Sequence, residues 1–205
     1  MKTFYQKKGK VVSVWESDNA SEKQFKNLSG QSPNLIHIAT HGFFFENSEK
    51  SKTSIDDEVS NIYRSSKDPL LRSGLILSGA NQAWGNNNFY SDNEDGILTA
   101  MEIANLDLSN TSIVVLSACE TGLGDINGSE GVYGLQRAFK MAGVDTLIMS
   151  LWQVPDKETA IFMETLYKNW TKNNTIRAAF IETQRNLSRK YKDDPFKWAA
   201  FVLLE

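Results

Sequence analysis

Two stretches of this sequence end an apolar run on a side chain that can do chemistry. Leu35-Ile36-His37-Ile38-Ala39-Thr40 runs into His41 and Gly42, and Ile113-Val114-Val115-Leu116-Ser117-Ala118 runs into Cys119. If the runs are adjacent parallel strands, an imidazole and a thiol emerge at one rim. A free thiol of pKa about 8.5 is only a few per cent thiolate at neutral pH, and an imidazole that takes its proton makes it a nucleophile for a carbonyl. The backbone N–H groups of Cys119 and Gly42 suit the oxyanion of a tetrahedral intermediate, glycine allowing close approach. A plainer reading stands beside this one. Cysteine is among the most buried residue types, and one that follows an apolar strand can simply be core packing. His37, which the pleat puts on the same face as His41, is expected to be a satisfied core residue.

Other chemistries fit these residues less well. His37 and His41 as a metal pair would lack the HExxH signature, because Ile38 stands where glutamate is needed and the segment is patterned as a strand. With 2 histidines and 1 cysteine in the chain, a Cys/His zinc site would need carboxylates to complete it. No metal and no cofactor is expected. The glycines of Gly122-Leu123-Gly124-Asp125-Ile126-Asn127-Gly128 do not keep dinucleotide-loop spacing, and Glu120, Asp125 and Glu130 would repel a pyrophosphate. This stretch is read as a loop that lets substrate backbone lie close to Cys119.

The elements that must position these groups are legible as patterns. Strands are expected at Val11 to Trp15, Leu35 to Ala39, Gly74 to Leu77, Ile113 to Leu116 and Thr146 to Leu151. The runs around Ile36, Val114 and Ile148 are apolar at successive positions, as in central strands covered on both faces. Ser21 caps a short helix from Glu22 to Leu28, Thr99 caps Ala100 to Leu106 with Glu102 at the third position, and Glu130 to Met141 ends at Gly143. Helices at Asp156 to Lys172 and Ile176 to Tyr191 follow, the first with apolar residues at helical spacing. Trp198 to Leu204 is read as an edge strand or packed tail. The alternation gives a doubly wound α/β sheet with function at the carboxyl ends of its strands. Phe43 to Arg72 and Ala80 to Gly96 read as long loops.

Composition narrows the function classes. The chain has 205 residues, 40% hydrophobic and 23% charged, with 22 Lys and Arg against 25 Asp and Glu for a net charge of −3. That length suits one domain, 1–205. The balance leaves no nucleic-acid footprint, no apolar run is long enough to span a membrane, and the start lacks a signal-peptide h-region. A cytoplasmic protein is expected.

The pieces HIATHG, LTAMEI, VVLSACETGLG, EGVYGLQRAFKMAGVDTLIMSLWQVPD and KWAAFVLLE resemble the CHAT domain, a caspase-like module often attached to helical TPR arrays. The resemblance runs from Trp15 to Glu205. It implies a caspase-like α/β fold, a mostly parallel central sheet with helices on both faces, and membership of the clan of caspases, gingipains and separase. In that clan a histidine and a cysteine form the catalytic dyad, which places it at His41 and Cys119, with the oxyanion held by the amides of Gly42 and Cys119. Trp152 to Asp156 resembles a separase segment near the pocket for the side chain before the cut. By that likeness Trp152 and Asp156 bind substrate and Asp156 receives a basic side chain, although Asp156 also reads as a helix N-cap. Asp125 is a further pocket candidate.

The expectation is a cysteine endopeptidase acting on a protein substrate and governed by a regulatory protein or TPR-type sensor. Caspases carry a cleavable linker after the cysteine, whereas here a glycine loop and one helix fill the stretch to Thr146, so maturation by that cut is not expected. Two rivals remain open: a non-catalytic scaffold or docking domain of the same fold, and a small-molecule thiol hydrolase or acyltransferase.

Overall fold

In this computed structural model the described residues are 9, 11–45, 63, 66–81, 94–117, 130–173 and 175–205. In chain order the elements are α1 (Glu22–Lys26), β1 (Leu35–Ile38), β2 (His41–Phe44), β3 (Ser73–Ile76), β4 (Ile97–Thr99), α2 (Ala100–Ala104), β5 (Ile113–Leu116), α3 (Glu130–Met141), β6 (Thr146–Ser150), α4 (Asp156–Trp170), α5 (Ile176–Lys190) and β7 (Phe201–Leu204).

All four residues of β5 are buried, and they divide by alternation between two cores. Val114 and Leu116 join Phe25 of α1, Ile103 of α2 and Leu135 and Phe139 of α3, whereas Ile113 and Val115 join Phe162 and Leu166 of α4 and Phe180 of α5. A strand that is apolar at every position needs cover on both faces, and these helices provide it. The central sheet has the order β1-β5-β6-β7, its first three strands parallel and β7 antiparallel to β6. The fold is therefore a caspase-like α/β arrangement with a mostly parallel central sheet, and the terminal apolar segment forms its edge strand.

The expectation of one sheet is corrected in part. After β1 the chain turns at Ala39 and Thr40, and β2, β3 and β4 form a separate antiparallel sheet. Phe43 and Phe44, read as the start of a loop, belong to β2. The strand expected at Gly74 to Leu77 is β3, a member of this second sheet. Val11 to Trp15 forms no strand, and Val11 is 98% exposed, with no ladder to join among the described residues. Apolar composition alone does not supply a pairing partner.

Local signals set the helix starts. Thr99 and Glu102 form a reciprocal capping box at α2, and Ser21 and Thr175 accept backbone bonds at the starts of α1 and α5. The α3 helix ends before Gly143, whose φ of +97° is left-handed. Glu102 also takes Lys26, which pairs with the buried Glu22, and Glu22 accepts from the Gly96 amide at 3.0 Å. This clasp ties α1 and α2 to the entry of β4. Among the described residues no helix is long and apolar enough to cross a membrane.

Candidate active site

The parallel register pairs Ile38 with Leu116, and the Ser117 amide continues the ladder by donating to the Ile38 carbonyl at 2.9 Å. The carboxyl ends of β1 and β5 therefore open together. They open onto a cavity of about 680 Å³ whose strand side includes His37, Thr40, His41 and Ser117 and whose opposite wall is the α4 helix. Asp156, Ala160, Met163 and Tyr167 recur along α4 at helical spacing, so one face of that helix lines the space.

His41 is exposed and is the first residue of β2, opposite Ile76. The Thr40 hydroxyl donates to the Ile76 carbonyl, pinning the turn that carries the chain from one sheet to the other. Gly42 follows, buried and opposite Leu75. Thus His41 stands where the two sheets part, with its backbone held and its side chain on the cavity.

His37 lines the same cavity but is less exposed than His41 and is held through both ring nitrogens. Its Nε2 lies 2.9 Å from Ser117 Oγ and its Nδ1 2.9 Å from the Tyr167 hydroxyl. The His37 and Tyr167 rings stack with centroids 5.7 Å apart. Ser117 Oγ also meets the Ile38 carbonyl, to which it donates at 3.3 Å. With that donation the Nε2–H tautomer satisfies the ring, Ser117 Oγ accepting from Nε2 and Nδ1 accepting from the tyrosine hydroxyl. Burial lowers the His37 pKa to about 4, so the ring is neutral at pH 7. The expected satisfied histidine is there, and it forms part of the cavity wall.

Asp156 lies on the same cavity wall, but its helix-cap reading is corrected. Pro155 occupies the N-cap position, Asp156 is the first helical residue, and no side-chain cap bond is made. The carboxylate still sits at the positive end of the helix dipole, where it is favourable. Trp152 follows the end of β6; its Nε1 donates to the Phe196 carbonyl at 3.1 Å and the two rings lie 5.4 Å apart. It is absent from the described cavity lining. Cys119 and Asp125 lie outside the described residues. Among the described residues no group of three or more His, Cys, Asp or Glu could hold a metal ion.

Two site residues escaped the sequence reading. Ser117 and Tyr167 complete the hydrogen bonds of His37, and the available signal was His37 itself. It is a lone polar residue in an apolar strand, and such a residue requires partners on whatever packs against it.

The CHAT domain family model matches residues 3–205. Tetratricopeptide repeat protein 28 of Mus musculus and its namesake in Homo sapiens are each 30% identical to this chain over 109 residues. That stretch is 53% of this chain and 4% of each relative, so the chain spans only a small part of their length.

Proposed function

The chain belongs to the CHAT domain family, and from that membership and the rim geometry we propose that it is a cysteine endopeptidase whose dyad is His41 and Cys119. The observation that carries this reading is the place of His41, exposed on a cavity at the rim where β1 and β5 end in register. Cys119 comes two positions after Ser117, whose amide is bonded to the strand leading to His41. Two residues of chain span at most about 7 Å.

In the proposed reaction His41 takes the thiol proton and the thiolate attacks the peptide carbonyl. The amides of Gly42 and Cys119 hold the oxyanion. Collapse breaks the C–N bond, and the leaving amine takes the proton from the His41 imidazolium. The thioester that remains is attacked by water, which gives its proton to His41; C–S cleavage then releases the acid and returns the thiol. No cofactor takes part.

The substrate is a protein segment lying extended along the rim. Asp156 offers a carboxylate to a basic side chain, with Trp152 and Asp125 as further contacts. We assign residues 1–205 to one CHAT module acting in the cytoplasm. Because both relatives are named for tetratricopeptide repeats, a TPR-type sensor or partner is the proposed regulator. A thiol alkylator tests the dyad: fast labelling of Cys119 that slows in His41→Ala supports the peptidase. A labelling rate indifferent to His41 favours a non-catalytic docking domain.

A further inference from the structure

We propose that His37 is a positioning residue for the proposed dyad: bonded to Ser117 on one side and Tyr167 on the other, it sets the exit of the β5 chain that leads to Cys119. The inference rests on the peptidase reading of the site and adds a residue to it.

The argument begins with the strand. Ile36 and Ile38 face the core that contains α1, α2 and α3, so the alternate positions Leu35 and His37 face α4. Leu35 packs there as an apolar residue should. Packing alone would be served as well by a leucine at position 37, and an imidazole has to satisfy two nitrogens in a partly dry site. Both are satisfied, by groups on different elements: Tyr167 projects from α4, and Ser117 is the first residue beyond β5. One ring therefore joins β1, β5 and the opposite cavity wall.

The bonds also have a direction. The tyrosine hydroxyl donates to Nδ1, Nε2–H donates to Ser117 Oγ, and Ser117 donates onward to the Ile38 carbonyl. Both ring nitrogens are engaged, and burial keeps the ring uncharged. His37 is thus unsuited to take the thiol proton, which leaves the exposed His41 as the base. What His37 does is hold Ser117, whose amide and hydroxyl both meet Ile38. A nucleophile carried two residues further on depends on that anchor, because misplacement by about 1 Å can cost on the order of a hundredfold in rate.

The test uses the alkylation rate of Cys119 by iodoacetamide in the full chain, with thermal unfolding measured in parallel. His37→Phe and Ser117→Ala are each expected to slow labelling by about tenfold. The double variant should be no slower than the slower single one, because both remove the same bond. His37→Gln, whose amide can reach Ser117 Oγ, should recover most of the rate. Multiplying losses, absence of rescue by glutamine, or unchanged rates would each overturn the positioning role. Should His37→Phe fail to fold, Ser117→Ala and His37→Gln decide the matter. If labelling of the unaltered chain is indifferent to His41→Ala, the peptidase reading fails on its own. The positioning role is then read from hydrogen exchange at the Ser117 amide, which His37→Gln should leave protected and His37→Asn should accelerate; equal exchange in both overturns it.

Discussion

Ile38 and Leu116 are paired residues at the carboxyl ends of two neighbouring parallel strands, and His41 and Cys119 follow them at equal sequence distance. A parallel ladder brings the two strand ends out at one height along the sheet, and the dyad proposed at His41 and Cys119 draws on these two exits. Cys119→Ala is expected to abolish peptide cleavage while leaving the thermal midpoint within a few degrees. Cleavage assays and calorimetry on the same preparation check both halves. Cleavage that persists would remove Cys119 as nucleophile.

Protonation of His37 couples the site to pH. The pKa of His37 is lowered by burial to about 4, whereas in an unfolded chain it is about 6.5. Between these values the unfolded state binds a proton that the folded state refuses, so stability falls as pH drops from about 6.5 to about 4. The full shift corresponds to about 3 kcal/mol as an upper bound, the ring being only part-buried. Urea titrations across that range should show a slope that His37→Asn flattens.

Charge on the α4 wall should set preference for the substrate. Asp156 faces the cavity from the first helical residue and makes no cap bond, so its carboxylate is available to a ligand. Asp156→Asn is expected to reduce kcat/KM for peptides with Arg or Lys before the cut by about tenfold to a hundredfold, the range for losing a hydrogen bond to a charged group. Peptides with an apolar residue there should change little. A library profile of both proteins reads the difference, and an equal loss for all peptides counts against Asp156 as the specificity residue.

The parts legible in the sequence are those with a local cause. β5 and β6 announce themselves by uninterrupted apolar residues, because both of their faces are covered. The α2 start is written in Thr99 and Glu102, whose capping box needs only four residues. The antiparallel sheet is a different matter. His41–Phe44 pairs with Ser73–Ile76, and the pairing depends on a turn at Ala39 and Thr40 and on partners far along the chain. The same reason hid the His37 network. Its imidazole is visible, but Tyr167 lies 130 positions further along the chain, and no local rule joins positions so remote. At Asp156 the cap reading misses by one residue: Pro155, at φ −54° and ψ 141°, holds the cap position and Asp156 is the first residue inside the helix.

Gly96 carries backbone that only glycine adopts cheaply. Its φ is +78°, and a Cβ there would run into the backbone of Ala80. Its amide also donates to the buried Glu22. Gly96→Ala should therefore destabilise by more than the roughly 1 kcal/mol of unfavourable φ alone. Denaturant midpoints measure the loss, and a variant as stable as the parent would show that Ala80 can give way.

Phe162 links the stability of the fold to the geometry of the site. Its ring is fully buried, stacked on Phe201 of β7 with centroids 4.0 Å apart and set edge-on to Phe180 of α5 at 5.8 Å. These contacts seat α4, and α4 supplies both Asp156 and the Tyr167 hydroxyl that holds His37. Truncation to alanine should cost about 3–5 kcal/mol, the range for emptying an aromatic site in a packed core. Phe162→Leu keeps much of the volume and should cost appreciably less. If α4 is seated by this ring, Phe162→Ala also slows Cys119 alkylation under conditions where the protein remains folded, because Tyr167 moves with its helix. His37→Phe, by contrast, is expected to slow the thiol with a smaller loss of stability. Chemical denaturation and labelling rates on the same set of variants separate the two effects. A Phe162→Ala protein that is destabilised but labels at the parental rate would mean that the position of α4 does not govern the thiol.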